Sequence, residues 1–110
     1  MNNKDILEKA NVAMANGNFE EFLLYCSEDT IWNFVGDEIL RGKEEVRKYI
    51  ARTYLEPPKF NVKKMIAEDD FVVAVGEISL KENGTERNYS YCDVWRFHDG
   101  KMAELKAFVV

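Results

Sequence analysis

One acidic residue stands among aromatic residues near the end of the chain. In the segment from Tyr89 to Phe97, the alternation of side chains along a β-strand puts Asp93 on one face and Cys92 on the other. The residues that share the face of Asp93 are all aromatic: Tyr89, Tyr91, Trp95 and Phe97. If this face points toward the helices, burial raises the pKa of the lone carboxyl. Asp93 is therefore the candidate catalytic acid or base.

A structural role for Asp93 is the alternative. An isolated buried carboxylate is costly unless it is partnered, and a tyrosine hydroxyl or a backbone amide could serve as its partner. With the opposite orientation of the strand, Arg96 would face the helices and Asp93 would lie on the surface or in an interface.

A second group of candidate pocket residues lies between Thr30 and Val35. Trp32 is the candidate wall or lid, Asn33 offers an amide that could hold a ligand carbonyl, and Phe34 stands beside them. The alternatives are core packing for Trp32 and turn formation for Asn33. The other expected pocket residues are Tyr49, Tyr89, Tyr91 and Trp95.

Several kinds of chemistry have no motif in this sequence. The single histidine, His98, falls in a predicted turn outside the pocket. Nucleophile elbows, phosphate-binding glycine loops, dinucleotide fingerprints and metal-ligand clusters are all missing. Cys26 and Cys92 lie far apart, without a second ligand at metal-binding spacing, and are expected to be reduced thiols. We therefore expect neither a metal nor a cofactor.

Composition limits the partners of the protein. The 110 residues are 46% hydrophobic and 32% charged, with a net charge of −5, which is typical of one globular domain spanning residues 1–110. The acidic balance gives no attraction for nucleic acid or anionic lipid. No apolar run approaches the roughly 20 residues that cross a bilayer, and the N-terminus does not resemble a signal peptide. We expect a cytoplasmic protein.

The elements that must position these residues are three helices followed by a run of strands. Asn3 is the predicted cap of the first helix, Asn18 caps the second, and the third begins after Gly42 and ends before Pro57. Thr30 to Val35 is predicted to form a short strand.

From Lys59 onward, three turn signals divide the chain into four strands: Glu68-Asp69-Asp70, Asn83-Gly84 and His98-Asp99-Gly100. Consecutive hairpins form an antiparallel meander, and helices grouped at one end of the sequence cover one of its faces. The expected fold is α+β, with three N-terminal helices packed in the concave face of a curved sheet.

The segment Phe71–Val75 predicts a second buried surface, because it is apolar on both faces of the strand. Two copies pressed sheet against sheet would cover the outer face. We therefore expect a homodimer whose interface includes Cys92, Val94 and one face of Phe71–Val75. The alternative is a monomer whose sheet edges curl around these residues.

Several motifs follow one another along nearly the whole chain. They are Ala15-Asn16-Gly17-Asn18-Phe19-Glu20, Trp32, Leu40-Arg41-Gly42 with Val46 and Ile50, Tyr91-Cys92-Asp93-Val94-Trp95-Arg96-Phe97 and Asp99-Gly100-Lys101-Met102. In this order they resemble the SnoaL-like group of the nuclear-transport-factor-2-like superfamily. The resemblance implies a cone-shaped α+β barrel, with a mixed or antiparallel sheet and a pocket open at one end. It does not select an activity, because this superfamily contains isomerases, cyclases, epoxide hydrolases, dehydratases and noncatalytic modules.

Residue by residue, the resemblance carries over only in part. The resemblance implies that Asp93 matches the protonated acid that donates a hydrogen bond to the developing enolate in ketosteroid isomerases. Asn33 matches their catalytic base and Ala10 their oxyanion-hole tyrosine, and neither can perform that task. Ala107 lies near the position of the second acid in limonene epoxide hydrolases. Neither family's complete mechanism is therefore expected.

The sequence thus predicts a domain that binds a small, mainly apolar or amphipathic molecule in a conical pocket. Cofactor-free acid/base chemistry of the isomerase, cyclase or dehydratase type would use Asp93. The alternative is a noncatalytic ligand-binding or homodimerisation module.

Overall fold

The computed structural model describes residues 1–110 and contains three helices and six strands. The helices are α1 (Asn3–Ala15), α2 (Phe19–Leu24) and α3 (Lys43–Thr53). The strands are β1 (Cys26–Phe34), β2 (Ile39–Arg41), β3 (Lys59–Glu68), β4 (Phe71–Glu82), β5 (Thr85–His98) and β6 (Lys101–Val109). The predicted α+β fold is confirmed.

Asparagine side chains cap the first two helices. The cap of α1 is Asn2 and not the predicted Asn3, because Asn2 Oδ1 accepts the Asp5 N–H at 2.9 Å. Asn18 caps α2 as predicted, by accepting the Glu21 N–H at 3.4 Å. Each cap satisfies a backbone donor that the first helical turn leaves free.

The six strands form one curved sheet with the order β2-β1-β6-β5-β4-β3. Strands β3 to β6 are the predicted antiparallel meander. Strand β1 runs parallel to β6, with Trp32 opposite Leu105, so the sheet is mixed. The sheet is open, because β2 and β3 are its edges and do not pair with each other.

The three predicted hairpin turns each contain one non-glycine residue with positive φ. These residues are Asp69, Asn83 and Asp99, with φ of 53°, 53° and 50°. Asparagine and aspartate tolerate this conformation better than other side chains do. The turns therefore end the strands where the sequence signals lie.

Two features of the first half of the sheet differ from the sequence prediction. Strand β1 begins at Cys26, before the predicted start at Thr30. Strand β2 was not predicted, since it has only three residues and buries only Leu40 among them. Strand β1 pairs with the distant strand β6 and with the short strand β2, and β2 pairs with β1. The alternation of residues within a segment does not predict such pairing.

The core lies between the helices and the concave face of the sheet. The helices contribute fully buried residues such as Leu7, Leu23 and Val46, and the sheet contributes Val72 and Met102. None of the three helices has the length and apolar character that crossing a membrane requires.

The outer face of the sheet carries a set of apolar side chains that the helices do not cover. Val73 pairs with Val94 across the β4–β5 ladder, and Val75 pairs with Cys92. Phe71, Val75 and Phe108 are 44%, 40% and 43% exposed. We call Phe71, Val73, Val75, Cys92, Val94 and Phe108 the outer-face patch.

Candidate functional site

A cavity of about 310 Å³ lies between the helices and the concave face of the sheet. Its walls come from all three helical segments, from β1 and from β3 to β6. Lining residues such as Trp32, Trp95 and Leu105 are buried, whereas Val35 and Glu82 are exposed and mark the rim. The volume is at the lower end of the range of small-molecule pockets.

Asp93 lines the cavity from the middle of β5. Its cross-strand neighbours are Ala74 on β4 and Ala107 on β6, two small residues that leave space beside the carboxyl group. Burial raises the pKa of Asp93 to about 7, with no hydrogen bond and no nearby cation to oppose the shift. The carboxyl can therefore exchange a proton at neutral pH.

Two tyrosines accompany Asp93 in the cavity. Burial, together with the charge of Asp93, raises the pKa of Tyr91 to about 12. The pKa of Tyr54, the C-cap residue of α3, is also raised, mainly by burial and further by Tyr49 and Asp93. Both hydroxyls therefore stay protonated at neutral pH and can donate hydrogen bonds.

Aromatic rings form the wall around the carboxyl. Trp32 meets Trp95 edge to face, with ring centroids 5.9 Å apart, and meets Phe22 and Phe34 in similar geometry. The Trp32 Nε1 is buried and has no hydrogen-bond partner. This packing fixes the wall by edge-to-face contacts that aromatic pairs prefer.

A second chain of rings leads from β1 to the end of α3. Phe34 lies 5.0 Å from Tyr49 between ring centroids, and Tyr49 meets Tyr54 edge to face at 5.9 Å. The guanidinium of Arg52 lies over the ring of Tyr49, 5.3 Å from its centroid. Arg52 itself does not line the cavity.

The rim is partly acidic. Asp37, from the turn after β1, and Glu82, from the end of β4, both line the cavity and are exposed. The Tyr89 hydroxyl donates to Glu82 Oε1 at 2.6 Å and joins the two strands of this hairpin at the cavity edge.

The structure brings together seven of the residues singled out in the sequence analysis. They line one cavity: Trp32, Phe34, Tyr49, Tyr89, Tyr91, Asp93 and Trp95. Asp93 therefore has the inward orientation on which its candidate role depends. His98 is exposed beside Asp99, at the far end of β5, and does not line the cavity.

The prediction for Asn33 is wrong. Asn33 does not line the cavity, because its neighbours Trp32 and Phe34 both do and side chains alternate along β1. It pairs with Lys106 of β6, whose side chain is exposed. An amide at this position cannot hold a ligand in the cavity.

Several lining residues were not among the predicted pocket residues. Tyr54 continues the apolar face of α3. Because it is the C-cap residue, the helical period does not predict where its side chain points. Phe60 and Ile78 face the cavity from paired positions on β3 and β4. Asp37 lies in a turn, and turn residues give no periodic signal from which orientation can be predicted.

Residues 7–105 match the SnoaL-like domain family, so the chain belongs to that family. A search among curated proteins finds no match to the sequence.

Solved structures of similar fold come from several bacteria. A nuclear-transport-factor-2-like protein of unknown function from Cytophaga hutchinsonii is 17% identical with a TM-score of 0.87, covering 100% of this chain and 91% of its own. An LEH-like epoxide hydrolase from M. tuberculosis is 16% identical with a TM-score of 0.87, covering 96% and 80%. A protein from Shewanella putrefaciens described as a SnoaL-like polyketide cyclase is 12% identical with a TM-score of 0.85, covering 97% and 79%. At such identities the likeness is one of fold.

Proposed function

We propose that the cavity binds a small, mainly apolar molecule and that Asp93 performs cofactor-free acid/base chemistry on it. The observation that carries the proposal is a single unpaired carboxyl, with a pKa of about 7, in a cavity walled by aromatic rings. An efficient general acid or base has a pKa near the working pH, and burial gives Asp93 that property.

The chemistry would be proton transfer of the isomerase, cyclase or dehydratase type. Asp93 would take a proton from a carbon or oxygen of the ligand and return it at a second position. The hydroxyl of Tyr54 or Tyr91, both protonated at neutral pH, would hold the oxygen on which charge develops. Asn33 has no part in this scheme, since it lies outside the cavity.

Deuterium exchange into a cyclic ketone tests proton transfer without knowledge of the natural ligand. With 2-tetralone in D₂O near neutral pH, we expect the protein to accelerate exchange at the α-carbon, as followed by ¹H NMR. Asp93→Asn should abolish the acceleration, because an amide cannot accept the proton. The matched change Asp29→Asn, at an exposed position of β1, should leave it intact. Equal rates in wild type and Asp93→Asn would remove Asp93 from the mechanism.

A noncatalytic binding protein is the second candidate function. It is favoured by the same cavity, which contains one titratable carboxyl in its interior and no second acid or base beside it. Binding of 2-tetralone without any deuterium exchange would support this candidate against catalysis.

We further propose that two copies associate through the outer-face patch. The support is an exposed apolar surface on the side of the sheet that no helix covers, bordered by the ion pair of Arg96 and Glu104 at 3.3 Å. In a dimer with two-fold symmetry, the patch of one subunit packs against the same patch of the other subunit, so both are covered without a different partner.

A reducing compartment, the cytoplasm, is the proposed location. Cys26 and Cys92 are free thiols, and secreted domains of this size commonly use cysteines in disulfides.

A further inference from the structure

The charges that line the cavity all have the same sign. Asp93 lies in the interior, and Asp37 and Glu82 lie at the exposed rim. Lysine, arginine and histidine are missing from the lining. A cleft lined by charges of one sign and walled by apolar groups concentrates its field, which repels anions and attracts cations.

The aromatic rings of the wall also favour a positively charged ligand. Two tryptophans, Trp32 and Trp95, and the tyrosines Tyr49, Tyr54 and Tyr91 face the cavity. Tryptophan and tyrosine faces attract cations, most strongly where water is excluded. Tyr49 already has a cation over its ring, since the Arg52 guanidinium lies 5.3 Å from the centroid.

The interior carboxyl has no partner of its own. Burial is the cause of its raised pKa, and neither a cation nor a hydrogen-bond donor of the chain offsets it. A buried charge without a counter-ion is costly, so a ligand that brings a positive group supplies what the folded chain lacks.

We propose that the ligand of this cavity is an organic cation, with an apolar body and a quaternary or protonated amine that lies against Asp93 and the surrounding rings. The inference rests on the proposed function in one respect, that the cavity binds a small molecule. A neutral ligand would use Asp93 differently, by accepting a hydrogen bond from the protonated carboxyl.

The two kinds of ligand differ in their dependence on pH. The titratable groups that face Asp93 are Tyr54 from the end of α3 and Tyr91 on β5, and both stay neutral near pH 7. The rim acids Asp37 and Glu82 are exposed. Because the pKa of Asp93 is about 7, its ionised fraction rises about tenfold between pH 6 and pH 8. Affinity for a permanent cation should follow that rise, whereas affinity for a neutral ligand should not.

The test compares two probes of the same shape, phenyltrimethylammonium and tert-butylbenzene. Binding is followed by the fluorescence of Trp32 and Trp95. At pH 8 we expect the cation to bind at least tenfold more tightly than the neutral probe, and its affinity to fall about tenfold at pH 6. Asp93→Asn should lose most of the preference for the cation and keep only the part that the rings and the rim acids provide, whereas Asp29→Asn should retain the full preference.

The inference is overturned if the neutral probe binds wild type as tightly as the cation at pH 8, or if Asp93→Asn retains the full cation preference of wild type. The first comparison uses wild type alone and does not depend on the folding of a variant. Binding of the neutral probe together with ketone exchange would leave the proposed function standing. Failure of both probes to bind, without exchange, would overturn both proposals.

Discussion

Asp93 on β5 lies directly opposite Ala107 on β6 in the antiparallel ladder, so a methyl group is the closest cross-strand neighbour of the buried carboxyl on that side. Ala74 holds the same position on the β4 side. A larger or polar residue at either position would fill the space or pair with the acid. The two alanines therefore keep the carboxyl both unpaired and accessible to a ligand.

Filling this space should block the cavity. We expect Ala107→Leu to reduce the exchange of 2-tetralone at least tenfold, because the added carbons occupy the volume beside Asp93. The free energy of unfolding should fall by no more than about 1–3 kcal/mol, since Ala107 is buried but lines the cavity, which can take up part of the new side chain. The same substitution at Ala67, which is exposed on β3, is the control and should leave exchange unchanged. Full exchange activity in Ala107→Leu would show that the ligand lies elsewhere.

Asp93 should make the stability of the protein depend on pH. Its pKa of about 7 in the folded chain is above the ordinary value of 3.8. Between about pH 4 and pH 7 the unfolded chain releases this proton and the folded chain keeps it, so stability falls as pH rises through that window and is constant above it. The loss from this group is about 4 kcal/mol.

Urea unfolding of Asp93→Asn measures this contribution. We expect the variant to match wild type near pH 4 and to exceed its free energy of unfolding by up to about 4 kcal/mol near pH 8. Parallel pH profiles for the two proteins would contradict the raised pKa.

The close approach of β3 to β4 should make Gly76 intolerant of any side chain. A Cβ at Gly76 would collide with the backbone carbonyl oxygen of Asn61 and would lie 3.1 Å from the ring of Tyr91. We expect Gly76→Ala to lower the free energy of unfolding by about 3 kcal/mol or more, as seen in urea titrations. The neighbouring change Glu77→Ala removes only a surface ion pair with Lys63 and should cost less than about 1 kcal/mol. Equal effects of the two substitutions would argue against this strand register.

Association through the outer-face patch can be tested with charge. Val94→Glu places a carboxylate in the middle of the patch, and we expect it to convert a dimer into a monomer in sedimentation velocity runs. Val12→Glu, at an exposed position of α1 that is 60% accessible, is the matched control and should leave the dimer intact. A monomeric wild type at high micromolar concentration would refute the dimer.

Much of the fold follows from local patterns, but pairing between distant segments does not. The helix caps, the change to a period of two after Lys59 and the three turns predict three helices and the β3 to β6 meander. The parallel pairing of β1 with β6 joins the two ends of the chain, and β2 exists only because it pairs with β1. The first residues of β1 and β2 therefore cannot be predicted from the residues of these strands alone.

In the candidate site, too, local patterns predict some orientations, and contacts between distant segments determine the others. The alternation around Asp93 is long and nearly all aromatic, so it predicts that one face is turned inward. Four residues of that face, Tyr89, Tyr91, Asp93 and Trp95, line the cavity, and Phe97 is buried. The segment around Asn33 is short and apolar on both sides, so its orientation depends on the helices that cover it. Tyr54 approaches Asp93 only after α3 packs on the sheet, and that contact has no sequence spacing from which to predict it.

The pKa of Asp93 in the intact protein tests the central claim most directly. A ¹³C-carboxyl NMR titration, with the signal assigned by its loss in Asp93→Asn, follows this group alone. We predict a midpoint near pH 7, because burial is not offset by any partner in the chain. A midpoint near pH 4 would mean that the carboxyl is solvated or paired, and the cavity would then contain no acid or base suited to neutral pH.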